Sequence, residues 1–372
     1  MPQSTTRGDI ALNNQSGRIR TLERHLLKKP DDLGLVSKLA GELTRRAHFS
    51  SRFEDFSRLR ELTESLPERH PGAPALLVRA RARATLHRFE EAWSDLEQAR
   101  AFGATDDEVG PLQTSIQIAR GRDLPAALAA AKARAERAPT LTHLASWAAA
   151  EAALGEFASA EDHYQAALRA YPDVSPFPVA QLMFQRALMW AELADDPARA
   201  RPMYAEAVRR LPGYVVANVH LAELEIAAGE GAGAQKRLSE LVAHSDDPEA
   251  LGLLAELRLA KDPNDAEANA LLERARSRYD ALLSEHRAAF LDHAAEFLGG
   301  PGKDAPRALR LALDNLELRP TPRAHELVIE VGAAANNVPV ICHHLERATP
   351  LAPVSRNLAS LIAREAPRCA PR

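Results

Sequence analysis

Thirteen histidines and 51 acidic side chains give this 372-residue chain material for metal binding or acid–base work, so their spacing decides. The nearest metal-like clusters are His343-His344 with Glu346, and His293 with Glu296 one helical turn later. Neither is the H-E-x-x-H motif that sets two imidazoles on one helix face. The histidines read as exposed or core-satisfied side chains, and no metal ligand is assigned. Gly229-Glu230-Gly231-Ala232-Gly233-Ala234 fits the loose dinucleotide pattern G-x-G-x-x-A, but that pattern needs a preceding strand and a βαβ unit. Gly299-Gly300-Pro301-Gly302-Lys303-Asp304 has the outline of a phosphate loop. Phe297 stands where its first glycine belongs, and no Ser or Thr follows the lysine. No G-x-S-x-G nucleophile elbow occurs. No catalytic residue and no cofactor is expected, and the chain reads as a non-enzyme.

The elements that hold these residues repeat. Alanines recur at 92, 126, 160, 200, 234, 268 and 308, with spacings of 34, 34, 40, 34, 34 and 40. Five residues before each sits a turn position: His87, Gly121, Gly155, Asp195, Gly229, Pro263 and Lys303. Seven residues after each comes a second, mostly small column: Ala99, Ala133, Ala167, Ala207, Leu241, Ala275 and Asn315. A fixed period of this size marks a solenoid of helical hairpins. Helices approach closely only where side chains are small, and a turn glycine reaches positive φ at no steric cost. The two longer spacings carry extra segments. Ser175–Ala180 reads as a proline-bearing loop, and 283–288 reads as extended helix. The boundaries follow: 1–16 a flexible lead-in, 17–366 the solenoid, 367–372 a flexible tail.

Composition sets limits. The chain is 46% hydrophobic but only 5% aromatic, which suits alanine-packed helices. With 47 basic against 51 acidic residues it lacks the basic footprint of nucleic-acid binders. Arg79, Arg81 and Arg83 read as solvated positions on a helix face. Cys342 falls 34 residues after Ala308, in the packing column, and Cys369 lies in the proline-rich tail; no disulfide framework is expected. No signal peptide or membrane-length apolar run is visible, so a cytoplasmic location is expected. Abundant arginine and alanine suggest a bacterial source.

The unit 141–174 carries Gly155, Phe157, Ala160, Tyr164, Ala167 and Pro172. It resembles the tetratricopeptide repeat, whose signature places such residues at period 34. Its first helix departs from the signature, with Leu144, Trp147, Ala148 and Glu151 in place of Trp, Leu, Gly and Tyr. The resemblance extends over roughly 20–350 and implies an all-α, right-handed superhelical solenoid of about 8–10 antiparallel hairpins. It also implies that first helices line a concave groove. In that register the lining falls at Arg81, Gln185, Met189, Glu192, Val219, Glu223, Ile226, Leu257, His293 and Phe297. Apolar residues there suit a peptide edge or a helix face, and the two acids favour a basic residue in the ligand. The Lys and Asn arrangement with which some family members clamp a terminal carboxylate is missing.

The expected function is therefore a non-catalytic protein-interaction scaffold with a protein or peptide partner, no nucleic acid and no membrane span. One alternative is a structural subunit that uses an edge or its convex face within a fixed assembly. An enzyme with an unrecognised helical site is the third reading. Oligomeric state is left open.

Overall fold

The computed structural model describes residues 4–369, and those residues contain helices and connections without a strand. After α1 (Gly8–Lys28), nine antiparallel hairpins follow in order. The first is α2 (Leu33–Ser50) with α3 (Glu54–Thr63), trailed by the single turn α4 (Leu66–Arg69). Next come α5 (Ala73–Thr85) with α6 (Phe89–Ala101), α7 (Asp106–Arg120) with α8 (Leu124–Arg137), and α9 (Leu141–Ala153) with α10 (Phe157–Arg169). The fifth pairs α11 (Pro176–Leu188), continued by a π turn over Met189–Leu193, with α12 (Pro197–Arg210). It is followed by α13 (Val215–Ala227) with α14 (Gly231–Val242), then α15 (Pro248–Leu259) with the first limb of α16 (Ala266–Gly299). The second limb pairs with α17 (Ala305–Leu318), α18 (Pro322–Ala334) pairs with α19 (Val338–Ala348), and α20 (Arg356–Glu365) closes the array. The fold is an all-helical solenoid of the expected kind.

The alanine column does the work assigned to it. Ala92, Ala160, Ala200, Ala234, Ala268 and Ala308 are fully buried between paired helices. One member is misplaced: Ala126 and Ala133 are exposed, and Ala127, Ala131 and Ala135 take the core positions. The cause is the preceding turn. Gly121 and Asp123 both adopt positive φ, so α8 starts one residue later than its equivalents and every side chain rotates by one position. A similar shift puts Ile341 in the column in place of Cys342. The turn residues His87, Gly121, Gly155, Asp195, Gly229 and Lys303 all have positive φ, as the cap geometry requires.

Both insertions become helix. Ser175–Ala180 is no loop: Pro176 and Pro178 open α11, where a proline's missing N–H costs little. The extra length is taken up along α11 and its π turn. The second insertion fuses two helices into α16, which bends at His286 (φ −139°, ψ 46°). The lead-in expected to be flexible is also helical from Gly8 onward, with Ala11 and Gln15 buried. Its first three residues, like 370–372 of the expected tail, lie outside the described residues. Cys342 and Cys369, expected to stay unpaired, form a disulfide that ties the chain end to α19.

The solenoid winds back onto itself about 200 residues on. Gly121 packs against Pro320 and Thr321, Gly155 against Pro353 and Val354, and Gly8 against Arg210 to Pro212. His87 meets the Ala288 carbonyl at 3.2 Å. Each time, a turn or a helix start of one superhelical turn abuts a connection in the next. Aromatic side chains fill the seam, with Phe49 on Tyr214 at 4.6 Å and Phe53 on Phe290 at 4.9 Å between ring centres.

Candidate functional site

First helices of successive hairpins pack side by side, α13 on α15 and α16 on α18. On α13, His220 and Glu223 are one turn apart, and the imidazole Nδ1 lies 3.2 Å from Glu223 Oε2. The same nitrogen is 3.8 Å from Glu192, on the π turn of the preceding hairpin. His220 stacks on Tyr204, with ring centres 5.4 Å apart and planes 5° off parallel. Burial opposes its charge, yet the Glu223 hydrogen bond and the carboxylates of Glu192 and Glu249 outweigh burial and push it up to about 10. Burial raises the Glu192 carboxyl.

The next hairpin adds Glu249. Asp247 caps α15, accepting from the amides of Glu249 and Ala250 at 3.1 and 3.0 Å, and so fixes the first turn that carries Glu249. The Glu249 carboxylate lies 3.5 Å from His293 Nδ1 on the second limb of α16. Burial, helped by the nearby Glu223, pushes the Glu249 carboxyl up to about 8. Glu296, one turn beyond His293, accepts from Arg323 of α18 at 2.5 Å. Asp292, paired with Arg319, is held well below the usual carboxylate range despite its burial, because His293 and Arg319 supply positive charge. Four carboxylates, those of Glu192, Glu223, Glu249 and Glu296, thus share one guanidinium and two imidazoles.

Beside this cluster is a cavity of about 370 Å³ between the two superhelical turns. Phe53, Phe56, Tyr279 and Phe290 form an apolar wall, while Glu249, His293 and His87 form a polar one.

Of the residues expected to line the groove, Glu192, Glu223 and His293 meet in the cluster. Gln185 is partly exposed on α11, and Arg81 is exposed on α5, away from it. Met189, Val219 and Phe297 are instead core: their relative exposures are 2%, 0% and 5%. Phe297 packs on Tyr279 and over Gly252, which leaves no surface for a partner. Ile226 and Leu257 are half-buried against the same core. Arg79 and Arg83 also differ from the solvated faces expected, since both clamp the buried Asp95. His220, Glu249 and Arg323 went unnoticed. Glu249 stands eight residues before Leu257, on the same face of α15, and His220 stands three before Glu223, so helical spacing could have found both. The phosphate-loop outline is a turn in which Gly302 fits under Phe297, and Gly229 is the turn between α13 and α14.

Residues 191–257, from the π turn into α15, match the tetratricopeptide repeat family model. That segment carries the tetratricopeptide repeat. No curated protein matches it. Among solved structures, the repeat array is similar to a chain of the APC/C hetero-tetramer Cut9–Hcn1, at 15% identity and TM-score 0.48. That match covers 89% of this array but only 62% of the other chain, so the array is substantially the shorter. A tetratricopeptide repeat protein from Parabacteroides merdae is 14% identical, covering 72% of this chain and 94% of that one, with TM-score 0.43. The human IFIT1 dimer with m7Gppp-AAAA is 12% identical over 93% of this chain and 84% of that one, with TM-score 0.47. No helix among the described residues is long and apolar enough to cross a membrane. Repeats of this family point to a protein-interaction or scaffold role.

Proposed function

We propose that the array is a non-catalytic scaffold whose inner face receives a basic segment of a protein partner. The carboxylate excess at Glu192, Glu223, Glu249 and Glu296 supports this reading. Glu249 carries it: buried, with Glu223 nearby, its carboxyl is pushed up to about 8 and would ionise readily once an ammonium or guanidinium arrived. Close, partly desolvated charge pairs of this kind set specificity and orientation.

A fluorescent eight-residue Arg/Lys peptide tests the reading by anisotropy. Its affinity should fall as salt rises. Glu192→Lys/Glu223→Lys should weaken it at least tenfold, on the order of 1 kcal/mol per reversed charge, while the surface change Glu136→Lys leaves it intact. Equal affinity in the double variant and the wild type, with helicity preserved, would overturn the assignment.

A further inference from the structure

We infer that Glu249, His293 and Glu296 form a binding site for a divalent transition-metal ion at the polar end of the cavity between the superhelical turns. One ligand atom from each residue lies within 4.8 Å of the other two. First-row metals hold nitrogen and oxygen ligands at about 2.0–2.2 Å. Small side-chain rotations therefore bring the three onto one ion.

Three further observations bear on the site. His293 Nδ1 is buried and has no hydrogen-bond partner, so a lone pair or an N–H faces the carboxylates unused. The side chains remain accessible, with His293 40% and Glu249 22% exposed, so an ion can enter from the coil's interior. Glu296 is held by Arg323, but that guanidinium also reaches Glu330 at 3.3 Å and Glu326 at 3.6 Å. Arg323 keeps partners when Glu296 turns to a metal. The donor set is one imidazole and two carboxylates. That mixture suits zinc, manganese or iron(II), whereas magnesium and calcium favour oxygen-only sites. Three protein ligands leave open positions, and the cavity supplies room for water or a partner's side chain to fill them. The site shares Glu249 and Glu296 with the peptide reading, but Glu192 and Glu223, whose reversal tests that reading, are not among its ligands, so the two tests fail independently.

Calorimetric titration of the full chain with zinc chloride, and separately with magnesium chloride, provides the test. Zinc should bind with one equivalent lost or weakened at least tenfold in both E249Q and H293N, and magnesium should give no saturable heat. H343A/H344A removes the adjacent-histidine pair and should leave that equivalent unchanged. If E249Q fails to fold by circular dichroism, H293N decides alone, since its side chain is part-exposed at the cavity rim. No zinc equivalent in the wild type, or an equivalent retained in folded H293N, would overturn the site.

Discussion

Replacing Gly155 by alanine isolates the seam between superhelical turns, because Gly229 supplies a matched control. Both glycines end the first helix of a hairpin with nearly equal φ, +81° and +79°. An L side chain in this region costs about 1–2 kcal/mol at either site. Their surroundings differ. A Cβ on Gly155 would lie 3.0 Å from Val354 Cα and 3.2 Å from the Pro353 carbonyl oxygen. These are backbone atoms one superhelical turn away, and they cannot swing aside as a flexible side chain would. A Cβ on Gly229 would have no neighbour within 4 Å. Overpacking of this kind adds about 1–3 kcal/mol. Gly155→Ala should therefore destabilise by about 2–5 kcal/mol and Gly229→Ala by about 1–2. Urea unfolding followed by helical circular dichroism at constant slope measures both. Equal losses in the two variants would refute the winding, since they would leave the turn's φ as the only cost.

A buried carboxyl and the disulfide give the other predictions. Glu326 is 3% exposed, and burial pushes its carboxyl up to about 7, because Arg323 is shared with other acids and Ser355 adds only one hydrogen bond at 3.0 Å. A raised folded value means the protonated acid stabilises the fold at low pH, and that contribution is lost as pH rises from about 4.5 through about 7. At about 1.4 kcal/mol per unit, Glu326→Gln should gain roughly 2–3 kcal/mol relative to wild type between pH 4.5 and pH 8; a pH-independent difference would contradict the burial argument. The disulfide Cys342–Cys369 closes a loop across 27 residues, and its removal by Cys342→Ser should cost about 3–4 kcal/mol locally. Disulfides persist in oxidising compartments, against the cytoplasmic location expected from the sequence. Thiol titration of protein taken from its own cells should find both cysteines blocked, and two free thiols would restore the cytoplasmic expectation.

The hairpin pattern was legible because it rests on local chemistry. Ala160 and Ala167 must be small where helices touch, and Gly155 must turn, whatever lies elsewhere. Register faltered where a single residue was added: Asp123 lengthens one turn by one position, and periodicity alone could not choose Ala127 over Ala126. The π turn under Glu192 and the bend at His286 were hidden for the same reason, since neither contains a proline or glycine. The candidate site was half legible. Glu192, Glu223 and His293 followed from the lining register that the repeat resemblance implies, while their meeting with Glu249 and Arg323 depends on hairpins stacking at a particular angle. Met189, Val219 and Phe297 went to the core because inner-face positions here also bear the weight of packing between hairpins. The seam joins residues about 200 positions apart, too distant for any periodic reading to pair, and the disulfide's separation of 27 falls off the 34-residue period.

The seam also sets an order in time. The face of α1 that bears Gly8 and Ala11 is covered by Arg210, Leu211 and Pro212, which leave the ribosome some 200 residues later. At about 5–20 residues per second that delay is roughly 10–40 s. An array whose hairpins touched only their neighbours could settle unit by unit as each emerged. Here Ile19 of α1 packs at once on Leu39 and Leu43 of α2, while the face bearing Gly8 and Ala11 waits until α12 exists. Chaperone demand during synthesis should accordingly persist for α1 after its neighbour α2 has folded.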